Sequence, residues 1–251
     1  MLDLLKVNTK KAAEILKQSK HTTAFTGAGI SVESGIPPFR GKNGLWSKYD
    51  PKILELNYFY EHPKDSWEII KEIFYDFFGK AQPNRSHKVL AKMEKHNFLQ
   101  AVITQNIDNL HQEAGSKTVY EFHGTSAKMV CTNCKRKFES EKVHLDKLPP
   151  KCIVCGGLLK PDFIFFGEGI PQNAFKKSVE EAENAEVFLL IGSTGLIEPA
   201  ASIPYKAKYN DAVIIEINPE RTVFTEKITD IFLQGKAGKI MLQLEKLLFE
   251  K

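Results

Sequence analysis

Ala101-Val102-Ile103-Thr104-Gln105-Asn106-Ile107-Asp108 is a short apolar run that stops in four polar side chains within five positions. A buried strand ending in hydroxyl, amide and carboxylate groups is what the carboxyl edge of an open α/β sheet presents, and ligands bind at that edge. Taken alone, the segment also suits a strand-to-helix turn with Asn106 or Asp108 as helix cap. The segments on either side shift the balance towards a site.

Upstream, Thr9 to Lys20 carries Ala12, Ala13, Ile15 and Leu16 on one side and reads as an amphipathic helix feeding a strand over Thr22 to Thr26. Gly27-Ala28-Gly29-Ile30-Ser31 follows directly. Missing side chains at Gly27 and Gly29 would let a diphosphate approach backbone amides at a helix start. The spacing is not Gly-x-Gly-x-x-Gly, since Val32 stands third, and glycine is the ordinary residue wherever φ is positive. Arg40, in Ile36-Pro37-Pro38-Phe39-Arg40-Gly41, could pair with an anionic ligand in fork geometry; as a lone feature it is a surface arginine.

Aromatics crowd the stretch from Trp46 to Phe78, and with Ile69, Ile70 and Ile73 they predict a small helical layer packed over the glycine loop. Pro83-Asn84 breaks that pattern, and His87 to Lys95 reads as a helix with His87 structural. Tyr120-Glu121-Phe122-His123-Gly124 is another short run ending in a titratable group. An imidazole there could act as a general base without large tuning.

All four cysteines fall in two pairs, Cys131/Cys134 and Cys152/Cys155, each C-x2-C, with seventeen residues between the pairs. That spacing is a zinc ribbon's. Four thiolates close a tetrahedral shell and leave no position for water, so one structural zinc is expected. Lys135, Arg136, Lys137 and Lys142 decorate the ribbon as solvated charge, and nucleic acid is not indicated.

Four more strand-like runs follow: Asp162 to Phe166 stopping at Gly167-Glu168, Val187 to Gly192 before Ser193-Thr194-Gly195, Val213 to Ile217 before Asn218-Pro219-Glu220, and Ile228 to Leu233. A C-terminal amphipathic helix carries Ile240, Met241, Leu244, Leu247 and Leu248. Strands alternating with helices, ending in small or polar residues, predict an α/β fold with a doubly wound, parallel, Rossmann-like sheet. A helical insertion and the zinc ribbon would add a smaller lobe, and the cleft between lobes is the default site. The 251 residues, 42% hydrophobic and 26% charged, suit one globular unit, and a net charge of +4 is mild. Met1-Leu2-Asp3-Leu4-Leu5-Lys6 has no basic leader, no segment is long enough to cross a bilayer, and the expected location is cytoplasmic.

These residues together resemble the sirtuin family of NAD-dependent protein-lysine deacylases, in its short single-domain form. The resemblance spans the first helix to Gly238 and rests on Gly27 to Ser31, Gly35 to Gly41, Thr104 to Asp108, His123-Gly124, the cysteine pairs, Phe166-Gly167-Glu168, Gly192 to Thr194 and Asn218 to Glu220. It implies a large lobe of residues 1–40, 84–124 and 160–251, with a small lobe of 41–83 and 125–159. Gly27, Ala28, Gly29 and Ser31 would hold the diphosphate and nicotinamide ribose, with Phe39, Arg40 and Trp46 at the loop over the cofactor. Gln105, Asn106 and Ile107 would surround the nicotinamide ribose and Asp108 would receive the carboxamide. Gly192, Ser193, Thr194, Asn218, Pro219, Glu220 and the backbone at Ala237 would hold the adenosine half.

His123 would act as the base and Asn106 would position a water. An acylated protein or peptide would lie as a strand between Phe163 to Gly169 and Gly195 to Pro199, touching Ile164, Phe166, Gly167, Glu168, Gly195 and Leu196. The implied products are free lysine, nicotinamide and O-acyl-ADP-ribose. Pro38 departs from relatives carrying Asp or Thr there and removes a backbone donor. Glu198 adds a negative charge near the substrate. Relatives that remove malonyl or succinyl groups carry Tyr-x-x-Arg in the helical insertion, where this chain reads Lys71-Glu72-Ile73-Phe74, so acetyl is the expected group. Mono-ADP-ribosyl transfer and deacylation with preference for a non-acetyl group are the competing enzyme hypotheses, and a zinc-ribbon binding module on an inert nucleotide fold the non-enzymatic one.

Overall fold

The computed structural model describes residues 2–41 and 44–250; Met1, Lys42 and Asn43 of the expected helical insertion, and Lys251 lie outside them. The strands are β1 (Thr22–Thr26), β2 (Ala101–Thr104), β3 (Val119–Glu121), β4 (Gly124–Cys131), β5 (Lys137–Glu139), β6 (Leu159–Phe163), β7 (Val187–Ile191), β8 (Val213–Asn218) and β9 (Ile231–Gln234). The helices are α1 (Leu2–Gln18), α2 (Leu56–Glu61), α3 (Pro63–Ile70), α4 (Arg85–Lys95), α5 (Leu110–Glu113), α6 (Gln172–Asn184), α7 (Ser202–Tyr209), α8 (Val223–Lys227) and α9 (Ala237–Phe249).

Six strands form a parallel sheet in the order β3-β2-β1-β7-β8-β9. Its central strands are buried at every position because helices cover both faces, which is why their sequences read as unbroken apolar runs. Ala24, Val102, Leu189 and Ile215 face a core shared with α1, α4 and α9. Their neighbours Phe25, Ile103, Phe188, Leu190 and Ile214 face the opposite core, shared with α6, α7 and α8. The chain moves outward from β1 to β3 and returns to start the other half at β7. The crevice at the carboxyl ends of β1 and β7 is therefore the topological switch point. Thr26 pairs with both Thr104 and Ile191, so the polar segments that follow these strands emerge level.

The second sheet is antiparallel, β5-β4-β6, and carries the cysteines at one end. It shares a core with α2 and α3, in which Trp67, Phe74, Phe163 and Phe165 pack and the Trp67 indole donates to Leu159 O at 2.9 Å. Three expectations shift. The first helix begins at Leu2, and Thr9, whose hydroxyl donates back to Leu5 O one turn earlier (2.7 Å), lies inside it. The run expected over Asp162 to Phe166 lends only its first two residues to β6 (Leu159–Phe163), which joins the small antiparallel sheet; Ile164 to Phe166 leave the strand, with Phe163 and Phe165 packed in the aromatic core. The final strand starts at Ile231, since Ile228 still closes α8 through its N–H to Phe224 O. Among the described residues, no helix is long and apolar enough to cross a membrane.

Candidate active site at the carboxyl edge of the sheet

The turns after β1 and β7 interlock. Gly27 N–H donates to Ile191 O and Gly29 N–H to Gly192 O, at 3.0 and 2.9 Å. A Cβ on Gly29 would stand 2.6 Å from Gly192 Cα, and one on Gly27 2.8 Å from Gly192 O. The missing side chains are thus demanded by the meeting of two backbones, where spacing alone suggested ligand approach. The segment after Gly27 is a tight 3-10 turn over Ala28–Ser34. Asn84, which caps α4, holds it from behind by donating to Ile30 O and Ser34 Oγ at 2.7 and 3.0 Å.

Onto this frame β2 brings its polar end. Ser31 Oγ donates to Asp108 Oδ2 at 2.6 Å and accepts from Asn106 Nδ2 at 3.1 Å, while Asn106 also reaches Gly27 O at 3.3 Å. Burial pushes the Asp108 carboxyl above its ordinary range, against the opposing pull of hydrogen bonds from Ser31 and the Leu110 amide. Ser31, Asn106 and Asp108 form the polar side of a small cavity whose apolar side includes Ile36, Phe39, Phe78 and Ile107. The lining thus sets hydrogen-bonding groups on one side against apolar surface on the other. Phe39 is held there by Trp46 and Phe74, with ring centroids 5.5 and 6.5 Å away, whereas Arg40 is exposed.

Gln105 reaches the other half of the sheet, its Nε2 donating to Ser193 Oγ at 2.9 Å, and Asn218 donates to Ser193 O at 3.2 Å. Gln105, Gly192, Ser193 and Asn218 therefore line one crevice, with Thr194, Pro219 and Glu220 exposed at its rim. Ala237 begins α9, which is docked to the glycine segment where Glu33 accepts from Gly238 N–H at 2.7 Å.

His123 stands between the lobes, just before β4. Its Nδ1 lies 3.0 Å from Gln105 O. A carbonyl only accepts, so Nδ1 carries the proton and Nε2 keeps a free lone pair. Burial lowers the imidazole pKa from its ordinary value, partly countered by that carbonyl. The His123 carbonyl in turn accepts from Ile164 N–H at 2.8 Å, which starts the segment through Phe166, Gly167 and Glu168. Phe166 and Leu196 are exposed large apolar side chains, and Gly195 has φ +75° with no room for a Cβ, which would stand 2.9 Å from the Phe224 ring.

Cys131, Cys134, Cys152 and Cys155 gather with all sulfurs within 4.8 Å of one another. A Cβ on Gly157 would fall 2.9 Å from Cys131 Sγ, so the chain closes tightly on the cluster, and four thiolates without an oxygen ligand fit a structural zinc. Several supporting groups escaped the sequence reading. Thr26 Oγ1 bonds both Thr104 Oγ1 and His111 Nε2 at 2.9 Å, Asn84 braces the glycine turn, and Lys160 is buried in β6. Asn84 carried a usable signal, an Asn directly before a helix.

A model described as "Sir2 family" matches residues 27–199, more than half of the chain. A protein of Aquifex aeolicus named NAD-dependent protein deacylase is 44% identical over 241 residues, covering 93% of this chain and 98% of that protein. The solved structure of a Sir2 homolog–NAD complex superposes with a TM-score of 0.88 at 40% identity, covering 95% of this chain and 93% of that one. A Sir2 variant solved with a deacetylated p53 peptide and 3′-O-acetyl ADP-ribose gives 0.89 at 34% identity, covering 94% and 97%.

Proposed function

Because the chain belongs to the Sir2 family, we propose that it is an NAD-dependent protein deacylase that removes acetyl groups from lysine side chains, giving nicotinamide, O-acetyl-ADP-ribose and free lysine. The observation that carries the reading is His123, whose protonated Nδ1 faces Gln105 O and whose Nε2 is left as a base in the crevice. NAD would supply the ribose carbon at which the acyl-lysine amide oxygen replaces nicotinamide, the bond to the nicotinamide nitrogen breaking as the bond to that oxygen forms. Around it, Asp108, tied to Ser31 and Asn106, receives the carboxamide, while Ile36, Phe39 and Ile107 keep water out. His123 Nε2 would take the proton of a ribose hydroxyl, whose oxygen then attacks the former amide carbon; the lysine amine leaves and one water completes O-acetyl-ADP-ribose. Fixed dipoles at this sheet edge favour the positive charge that develops as the glycosidic bond opens.

Acylated proteins or peptides are the partners, entering between Phe163 to Gly169 and Gly195 to Pro199. Lys71, the cation in the Lys71-Glu72-Ile73-Phe74 stretch of the insertion, is engaged by both oxygens of Asp76 at 2.8 and 2.6 Å, which supports a neutral acetyl group. Mass spectrometry of acetyl-, propionyl-, succinyl- and myristoyl-lysine peptides incubated with the protein and NAD tests this. Loss of acetyl with release of nicotinamide, at least about tenfold faster than loss of succinyl, is expected. A peptide that keeps its acetyl group and gains ADP-ribose would overturn the reading, as would absence of nicotinamide release from every peptide.

A further inference from the structure

Lys160 is a charged residue in β6, and only 4% of it is exposed. Its ammonium donates to Pro161 O at 2.9 Å and Phe163 O at 2.7 Å, stands 2.9 Å from Glu168 Oε2, and lies 4.1 Å from the Phe165 ring centroid. All three N–H donors have a partner, the condition under which a buried ammonium is tolerated. Burial lowers its pKa, and the adjacent Glu168 opposes that shift.

Glu168 closes the arrangement. The same Oε2 accepts from Phe165 N–H at 2.7 Å, and Glu168 N–H returns to Phe165 O at 3.0 Å. Lys160 thus clamps both ends of a turn, Phe163 at its start and Glu168 at its end. Between them Gly167 takes φ +94° and Phe166 is 47% exposed. The outer edge of the turn is stitched to the helical layer, with Phe166 N–H donating to Leu54 O at 2.8 Å and Leu56 N–H to Phe166 O at 3.0 Å.

We propose that Lys160, through its ion pair with Glu168, is a positioning residue for the acylated peptide: it fixes the Phe163–Glu168 turn on which the substrate main chain pairs. This rests on the deacylase reading. Main-chain pairing gives affinity only to a preorganised strand, since a loose one must be ordered at the moment of binding.

Lys160→Met keeps a long side chain and removes the charge; Lys160→Arg keeps the charge. In Lys160→Met the KM for an acetyl-lysine peptide should rise about tenfold while the KM for NAD moves less than about twofold. Lys160→Arg should recover most of the peptide KM. Hydrogen exchange at the Phe165 and Glu168 amides should quicken about tenfold in Lys160→Met, with β1 and β7 amides unchanged. Should Lys160→Met fail to fold, Glu168→Gln, which retains an oxygen acceptor for the Phe165 amide but removes the ion pair, should quicken exchange at that amide in the same way, a readout that a lost peptide contact at Glu168 would not move. Equal rises in both KM values, or unchanged peptide KM and exchange, would overturn the proposal. A wild-type protein that forms no product would defeat the deacylase reading instead, and the exchange measurement would still decide whether Lys160 fixes the turn.

Discussion

At His123 the position of one proton decides what the side chain can do. Gln105 O holds the proton on Nδ1, and burial keeps the ring neutral, so Nε2 is available as an acceptor at neutral pH. A base works only unprotonated, and burial moves the folded pKa below 6.5. The acid limb of kcat/KM should therefore have its midpoint below pH 6.5, with activity level from there to neutrality. His123→Ala should lower turnover about 10²- to 10⁴-fold and leave the melting temperature within a few degrees. An acid limb centred above 6.5, or undiminished turnover in the variant, would remove His123 from the role of base. Ser31 shows how a residue's meaning depends on its partners. In the sequence it belongs to a glycine turn, and in the fold it couples Asn106 to Asp108.

At the level of elements, α4 is held at its start by a reciprocal cap. Asn84 Oδ1 accepts from Ser86 N–H at 2.8 Å, and His87 Nδ1 accepts from Asn84 N–H at 3.3 Å. An Nδ1 that accepts must be unprotonated, and burial lowers the His87 pKa to about 4. Between pH 6.5 and 4 the unfolded chain binds a proton there that the folded chain refuses, so stability falls as pH falls through that window. The loss is about 3 kcal/mol from this group. Urea midpoints at pH 7 and 4.5 should converge more for His87→Gln than for the wild type; parallel shifts would contradict it. The central strands were readable in the sequence because burial on both faces makes them short unbroken apolar runs, and their polar ends marked the crevice. The strand Leu159–Phe163 and its sheet were not, since Leu159-Lys160-Pro161-Asp162-Phe163 has no unbroken apolar run and nothing in it names a partner strand. Nor were Thr26 and His111, whose roles exist only because β1 and β2 pair with Thr26 opposite Thr104.

Across the whole molecule, the crevice exists because two bodies with separate cores meet at it. The parallel sheet is stabilised by apolar clusters on both faces, and the small lobe by its aromatic cluster and the cysteine site. The join runs through β4: Ser126 donates from both backbone and hydroxyl to Ile107 O at 3.0 and 2.6 Å, and Ile164 N–H donates to His123 O. Loosening the small sheet therefore disturbs the Ile107 and Phe163–Glu168 walls without touching the β1–β7 switch point. A closed tetrathiolate site leaves zinc no open position for a reactive water, so its contribution is to folding of this lobe. Removing zinc with a chelator should speed hydrogen exchange in β4, β5 and β6 while β1, β7 and β8 keep their protection. Deacylation should fall with the loss of the wall proposed to bind the peptide and return when zinc is added back. Retention of full protection across the small sheet after verified metal loss would refute the structural role. Loss of activity with that protection intact would instead make the metal part of the chemistry.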